Sequence, residues 1–271
     1  MCGLLGILTA DPSKQPDSAV LRQYLEPLTP RGPDHQAVRT EPGLGFGHTR
    51  LAILDLGDQA NQPIGEGEAG ELVYNGEIYN FAALREQLND SRYHDAGDTR
   101  VLLGYLKRHG TEIDLDALDG MFAFAYYDRV GDQVLLARDA LGQKPLYYAY
   151  INGDLWFASD AAPLRLALGY SRLNARVLSA WFAIGATDLA TGETLFEGIQ
   201  VLPPGHRLIV RREDLRTNAL PEAERWHRFA QRTSDGERSI DALRAAVRAR
   251  LVSEVPLGAM LSGGVDSALL V

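Results

Sequence analysis

A chain of 271 residues has room for about one or two domains, and its 45% hydrophobic and 23% charged content is the balance of a globular protein. The formal net charge of -9 speaks against nucleic acid as a partner, which needs clustered Lys and Arg on one surface. No stretch approaches the roughly 18 consecutive apolar residues of a membrane helix, and no basic region precedes the short apolar run Leu4–Leu8, so no membrane partner and a cytoplasmic location are expected. The single cysteine, Cys2, excludes an intramolecular disulfide and argues against a cysteine-based zinc site; no metal site is expected, and small-molecule chemistry is the default.

In chain order, short β-like runs begin with GLLGILT and continue through LGFGHTRLAIL, GELVYNGEIYN, MFAFAYYD, QVLLARD, PLYYAYI, DLWFASD and HRLIV, separated by Gly, Asp, Asn and Pro. Two pairs read as hairpins, one turning across Arg129–Asp132 and one across Asn152-Gly153, a dipeptide suited to a tight two-residue turn. Helical spacing occurs over Ser18–Leu28, Phe81–Leu88, Thr99–His109, Ala161–Leu168 and Ala175–Ala183. Antiparallel strand sets with helices among them predict an α+β domain with helices packed on sheet faces.

After Val210 the sequence turns polar, and Arg211–Gly236 reads as a connecting segment. Ser239–Val252 then predicts an amphipathic helix with Ile240, Leu243, Val247 and Leu251 on one face, Arg244, Arg248 and Arg250 forming a solvated face. Val255–Leu261 is an apolar run of strand type, followed by Ser-Gly-Gly-Val-Asp-Ser at 262–267. The chain divides into 1–210, a linker at 211–235, and the start of a second unit at 236–271.

Cys2 follows an initiator Met, whose removal would place a free α-amino group beside a thiol. An α-amino group titrates near about 7.7–8.0 and a thiol near about 8.5, so one residue can supply both general base and nucleophile. On the dipeptide alone a buried structural cysteine in the first strand stays open.

Six further features widen the pattern: Cys2-Gly3-Leu4-Leu5-Gly6, Arg31-Gly32-Pro33-Asp34, Gly47 through Asp55, Tyr74 through Asn80, Gly120 through Ala125, and Arg138-Asp139 through Gly142 to Tyr148. In order and spacing they resemble the glutaminase domain of class II glutamine amidotransferases, which are N-terminal nucleophile hydrolases. The resemblance implies a four-layer αββα fold and attack of the Cys2 thiolate on the side-chain amide of L-glutamine, with ammonia released and a γ-glutamyl thioester hydrolysed. It further implies an oxyanion hole from the Asn75 side chain and the Gly76 N–H, a carboxylate-binding Arg50, ammonium recognition by Asp98 and Glu77, and a pocket lined by Leu51 and Ile53. For Asn75-Gly76 a hairpin turn is the alternative.

One departure stands out, since the family often has an acid where this chain has Arg100; it either faces solvent or alters a neighbouring contact. Arg31–Asp34 reads as a turn supporting the site, His48 as a packed core histidine, and Phe122–Tyr127 as core strand.

Ser262, Gly263, Gly264, Asp266 and Ser267 lack the Gly-Lys-Ser/Thr of a P-loop and instead resemble the pyrophosphate loop of ATP pyrophosphatases. A glutaminase domain joined to such a loop resembles glutamine-hydrolysing asparagine synthetase. The resemblance implies ATP and Mg2+ for a complete synthetase domain and no cofactor for the glutaminase half. The implied acceptor is aspartate, and related amide-forming and β-lactam-forming enzymes share the pattern. The synthetase half is expected to be incomplete in this chain, with a homodimer or a separate synthetase as possible partners. A stand-alone glutaminase, an ammonia-delivering subunit and an inactive binding protein are the competing readings.

Overall fold

In the computed structural model the described residues are 1–65, 70–170, 172–189, 191–228 and 239–271. The elements run β1 (Gly3–Leu8), α1 (Ser18–Leu25), β2 (His35–Glu41), β3 (Leu44–Arg50), β4 (Ile64–Gly65), β5 (Gly70–Ile78), α2 (Phe81–Leu88), α3 (Asp98–His109), β6 (Gly120–Asp128) and β7 (Gln133–Arg138). They continue with β8 (Tyr147–Ile151), β9 (Asp154–Ala158), α4 (Ala161–Leu168), α5 (Ala175–Ile184), β10 (Gln200–Val201), β11 (His206–Arg211), α6 (Arg212–Thr217), β12 (Glu224–Arg225), α7 (Ser239–Ala249) and α8 (Val265–Leu270).

The strands form two six-stranded antiparallel sheets, ordered β10-β8-β9-β1-β3-β2 and β12-β11-β7-β6-β5-β4. Strand alternation explains the layering. Leu4 and Leu8 of β1 face the other sheet and pack with Val73, Ala123, Ala125 and Leu136 in a core between the sheets. Leu5 and Ile7, one residue out of phase, pack with Leu21, Leu25 and Leu164 of α1 and α4 on the outer face. On the opposite outer face Leu72, Tyr74 and Phe124 pack with Leu84, Leu102 and Leu106 of α2 and α3. The result is the expected α+β sandwich of helix, sheet, sheet and helix.

Both hairpins form. Asp128 pairs with Gln133 and Ile151 with Asp154, and Asn152 and Gly153 both have positive φ, 53° and 86°, as the tight turn requires.

The chain departs from the sequence expectations at several places. The first helix stops at Leu25 and continues as a tighter 3-10 turn through Arg31, because Pro27 and Pro30 cannot donate to the helical ladder. β3 ends at Arg50, four residues before the apolar run does, since Asp55 takes a left-handed φ of 52° and the loop is built from side-chain bonds. β2, HQAVRTE, has too little apolar character to read as a strand and is an edge strand pairing with β3. The polar segment after Val210 carries α6, whose Arg212 is buried and bonded to Asp132, Thr9 and Gly43. Residues 255–261 form no strand: the run is exposed at Leu257, Met260 and Leu261, and an apolar run without a pairing partner has nothing to satisfy its backbone as a strand. Among the described residues no helix is long and apolar enough to cross a membrane.

Candidate active site

Gly3 pairs with Thr49, so the turn into β1 sets Cys2 beside the end of β3. The Leu51 N–H donates to the Cys2 Sγ at 3.4 Å, and the thiol faces the Leu51 carbonyl at 3.7 Å. Burial pushes the thiol pKa up, with the Leu51 bond opposing the shift. The chain's α-amino group, carried by Met1, lines the same cavity and is pushed down by burial. Arg31 secures the backbone here, its Nε donating to the Cys2 carbonyl at 3.1 Å, while Asp34 accepts from the Ala52 N–H at 2.8 Å. A Cβ on Gly32 would lie 2.3 Å from the Thr49 backbone, so this turn packs directly beneath the β3 terminus and supports it.

Asn75 and Gly76 are not a turn; they lie within β5, opposite Ala123 and Phe122 of β6. Gly76 is required by its neighbour strand, as a Cβ there would stand 2.2 Å from the Met121 carbonyl oxygen. Asn75 is 1% exposed, yet both its Nδ2 and Oδ1 lack a hydrogen-bond partner among the described residues. An unpaired buried carboxamide is costly, and among the described residues Asn75 alone has two such atoms orphaned, against one each in Arg31, His35, His48, Tyr150 and Trp226.

Arg50, at the end of β3, directs its terminal nitrogens at the loop that follows. Nη1 donates to Gly57 O at 2.9 Å and Asn61 Oδ1 at 2.7 Å, and Nη2 to Leu54 O at 3.4 Å and to Asp55 O. Its fork is spent on residues 54–61, leaving Nε–H without a partner among the described residues. Asp98, at the first turn of α3, accepts from Tyr74 OH at 2.8 Å, Ile78 N–H at 3.2 Å and Thr99 N–H at 2.7 Å. Burial raises its pKa against those donors. Glu77 is raised by burial and by the nearby Asp98.

Cys2, Arg50, Leu51, Ile53, Asn75, Gly76, Glu77 and Asp98 all line one cavity of about 210 Å³. That is smaller than the roughly 300–1,000 Å³ of drug-sized sites and suits a small metabolite. Met1, Leu54, Tyr74 and Thr99 also line it, as do Gln62, whose Oε1 accepts from the Tyr74 N–H at 2.6 Å, Met121, and Lys144, a buried amine whose pKa burial lowers; none of these was assigned to the cavity from the sequence. Lys144 falls within the Gly142–Tyr148 motif, so its position was visible though its burial was not. His48 is a core histidine, its Nε2 3.0 Å from the Tyr74 carbonyl and its pKa lowered by burial to about 3. Arg100 donates to the Arg92 carbonyl at 2.8 Å and does not line the cavity. The set combines a thiol, an amine that can take its proton, an amide donor for a developing oxyanion, and opposite charges for a zwitterion.

The loop at 262–267 lies apart from this cavity. Gly263 has φ +80°, Ser262 and Ser267 hydroxyls meet at 3.0 Å, and Ser267 donates to Gly264 O at 3.0 Å. Gly264 and Asp266 lie at the start of α8, and all six residues except Ser267 are exposed. Among the described residues no group of three or more His, Cys, Asp or Glu could hold a metal ion.

The glutamine amidotransferase domain model matches residues 1–220, and the asparagine synthase model matches residues 239–271. Asparagine synthetase [glutamine-hydrolyzing] 1 of Bacillus subtilis is 31% identical over 284 residues, covering 100% of this chain and 43% of that enzyme. Asparagine synthetase [glutamine-hydrolyzing] 2 of Arabidopsis thaliana is 30% identical over 274 residues, covering 100% and 42%. The chain thus spans less than half the length of these curated relatives. The glutamine phosphoribosylpyrophosphate amidotransferase of B. subtilis shares the fold, with a TM-score of 0.54 at 20% identity over 85% of this chain and 50% of that one. On the match over residues 1–220, the chain belongs to the glutamine amidotransferase domain family.

Proposed function

We propose that this chain hydrolyses L-glutamine to glutamate and ammonia, with Cys2 as the nucleophile. The observation that carries the reading is the unpaired, buried Asn75 carboxamide in the same cavity as the Cys2 thiol. Removal of Met1 exposes the α-amino group of Cys2 itself, an amine of ordinary pKa near about 8 beside its own thiol, which can accept the thiol proton directly or through water. The thiolate then attacks the side-chain carbonyl carbon, and the oxygen gathers negative charge. Asn75 Nδ2 and the Gly76 N–H donate to that oxygen, a contribution of about 3–4 kcal/mol for each donor. The Cys2 α-ammonium returns the thiol proton to the leaving nitrogen as the C–N bond breaks, so ammonia departs, and water cleaves the thioester to glutamate and the free thiol.

Arg50 and Asp98 hold the zwitterionic end of glutamine. Arg50 supplies its positive charge to the α-carboxylate while its Nη bonds to residues 54–61 hold the guanidinium in place; Asp98 and Glu77 accept from the α-ammonium. Leu51 and Ile53 flank the substrate.

In the complete protein we assign the ammonia to ATP-dependent amidation of a carboxylate, with aspartate converted to asparagine, in the cytoplasm. Ser262, Gly263, Gly264, Asp266 and Ser267 would hold the pyrophosphate end of ATP, which supplies the activating nucleotidyl group. A glycine at φ +80° that opens the turn and two converging hydroxyls fit that end of the nucleotide. Asp266 offers one carboxylate, which together with the nucleotide's own phosphates would contribute to holding Mg2+ in the complete protein.

Intact mass and ammonia release, measured on this chain and on Cys2→Ala, test the reading. The expected result is loss of Met1 and glutamine-dependent ammonia from the wild type alone; equal ammonia from both proteins, or Met1 retained on active protein, sinks it.

A further inference from the structure

The cavity wall formed by Ile53 and Leu54 belongs to an irregular loop with no strand to hold it. Part of what holds it comes from the far end of the chain. The Asp55 N–H donates to Glu254 Oε1 at 3.0 Å, and the Glu254 N–H donates to the Ile53 carbonyl at 3.0 Å. One residue thus closes a two-point clasp on the loop across 199 positions of sequence. Asp55 sits at φ 52°, a conformation costly for a residue with a Cβ, which persists only when its surroundings over-determine it.

The surroundings do so. Besides the N–H held by Glu254, the Asp55 carbonyl accepts from Arg50 Nη2 and its carboxylate accepts from Gln59 Nε2 and from the Gly97 N–H at 3.3 Å. Glu254, Asp55 and Arg50 therefore form a continuous relay from the second unit to the cavity. The residue on either side of Glu254 is braced, with Ser253 Oγ donating to Val255 O at 2.9 Å and accepting from Val255 N–H at 3.1 Å. A second tether lies four residues upstream: Arg250 donates to Asp119 at 3.0 Å and stacks over Tyr79 at 5.0 Å, just past the end of β5.

We propose that Glu254 is a positioning residue of the glutamine pocket, supplied by the segment that leads into the Ser262–Ser267 loop. This rests on the glutaminase reading of the cavity. Pinning Asp55 fixes the Leu54 and Asp55 carbonyls that orient Arg50, and fixes the Ile53 wall; releasing it lets both drift from the substrate. Because the pinning group belongs to the second unit, a shift of that segment changes glutamine affinity, and glutamine in turn steadies the segment by the same factor.

The test compares the 271-residue chain with Glu254→Ala and Glu254→Gln, which keeps an acceptor oxygen. Glu254→Ala is expected to raise KM for glutamine about 3- to 10-fold with kcat within about 2-fold, and Glu254→Gln to restore most of the affinity. Hydrogen exchange of residues 53–57, read without any turnover, should quicken in Glu254→Ala while β5 and β6 stay protected. An unchanged KM, equal effects of the two substitutions, or faster exchange spread across both sheets overturns the proposal. If the wild type makes no ammonia, the glutaminase reading fails by itself, and the exchange of residues 53–57 still decides whether Glu254 pins the loop.

Discussion

The cavity around Cys2 and the loop at Ser262–Ser267 carry motifs of similar clarity, yet they are physically unlike. Around Cys2 several buried polar groups are held by several bonds: Asp98 accepts from three backbone or hydroxyl donors within 3.2 Å and Arg50 from its two Nη atoms reaches four oxygens, whereas Asn75 keeps both of its carboxamide atoms unpaired among the described residues. At the loop the hydroxyls bond one another in open solvent. The difference teaches that a site is recognised by what its burial leaves unsatisfied, because water can satisfy an exposed group at no cost and cannot reach a buried one.

The largest effect should separate the two regions directly. Asn75→Ala is expected to lower kcat for glutamine hydrolysis by about 10²–10³-fold, with KM changed far less. Ser267→Ala should leave the same assay within about 2-fold. Steady-state ammonia release checks both, and comparable losses in the two variants would break the contrast.

Next in size is a packing effect. Gly76→Ala places a Cβ at 2.2 Å from Met121 O, against strand backbone that cannot yield without disturbing the β5–β6 register. A destabilisation of about 1–3 kcal/mol is expected by denaturant melts; Gly263→Ala, with open space around it, carries only the strain of its positive φ and should not change the melt of the sandwich.

The fold was largely legible because its strands alternate and its turns are chemically specific. Asn152-Gly153 could be placed from two residues, and the helices on the outer faces from their 3.6-residue period. The site was legible through motif order rather than through spacing alone, since residues 2, 50, 75 and 98 meet only after two sheets pack. What escaped was whatever depends on tertiary placement. His35–Glu41 is polar because it is an edge strand, Arg212 looks like a linker residue until four partners surround it, and Glu254 shows nothing in sequence of its bond to Asp55. Val255–Leu261 has the composition of a strand, but composition does not supply a neighbour to pair with.

A third outcome sharpens the comparison through acid sensitivity. His48 is held neutral, its pKa lowered by burial from 6.5 to about 3. The unfolded chain therefore binds a proton that the folded chain refuses between those values, so this contribution to stability is flat above about pH 6.5 and is lost as pH falls below it. The expected cost is about 2 kcal/mol by about pH 5, at 1.36 kcal/mol per pH unit. Thermal melts from about pH 7.5 to about pH 5 should show a shallower slope in His48→Gln than in wild type; identical slopes would remove His48 from the account. The smallest effect is expected at Arg100. Its bond to the Arg92 carbonyl is exposed, so Arg100→Glu should change stability by less than about 0.5 kcal/mol and leave KM for glutamine unaltered.

The central claim is that Cys2 becomes covalently attached to the γ-carbonyl of glutamine. Acid quench of the chain in the presence of glutamine, followed by mass analysis of the N-terminal peptide, reads this directly. The account predicts a γ-glutamyl adduct on a peptide that begins at Cys2, absent from Cys2→Ala and accumulating when thioester hydrolysis is slowed. Steady ammonia release by wild type with no adduct on Cys2 under any quench time, or an adduct on another residue, would contradict it.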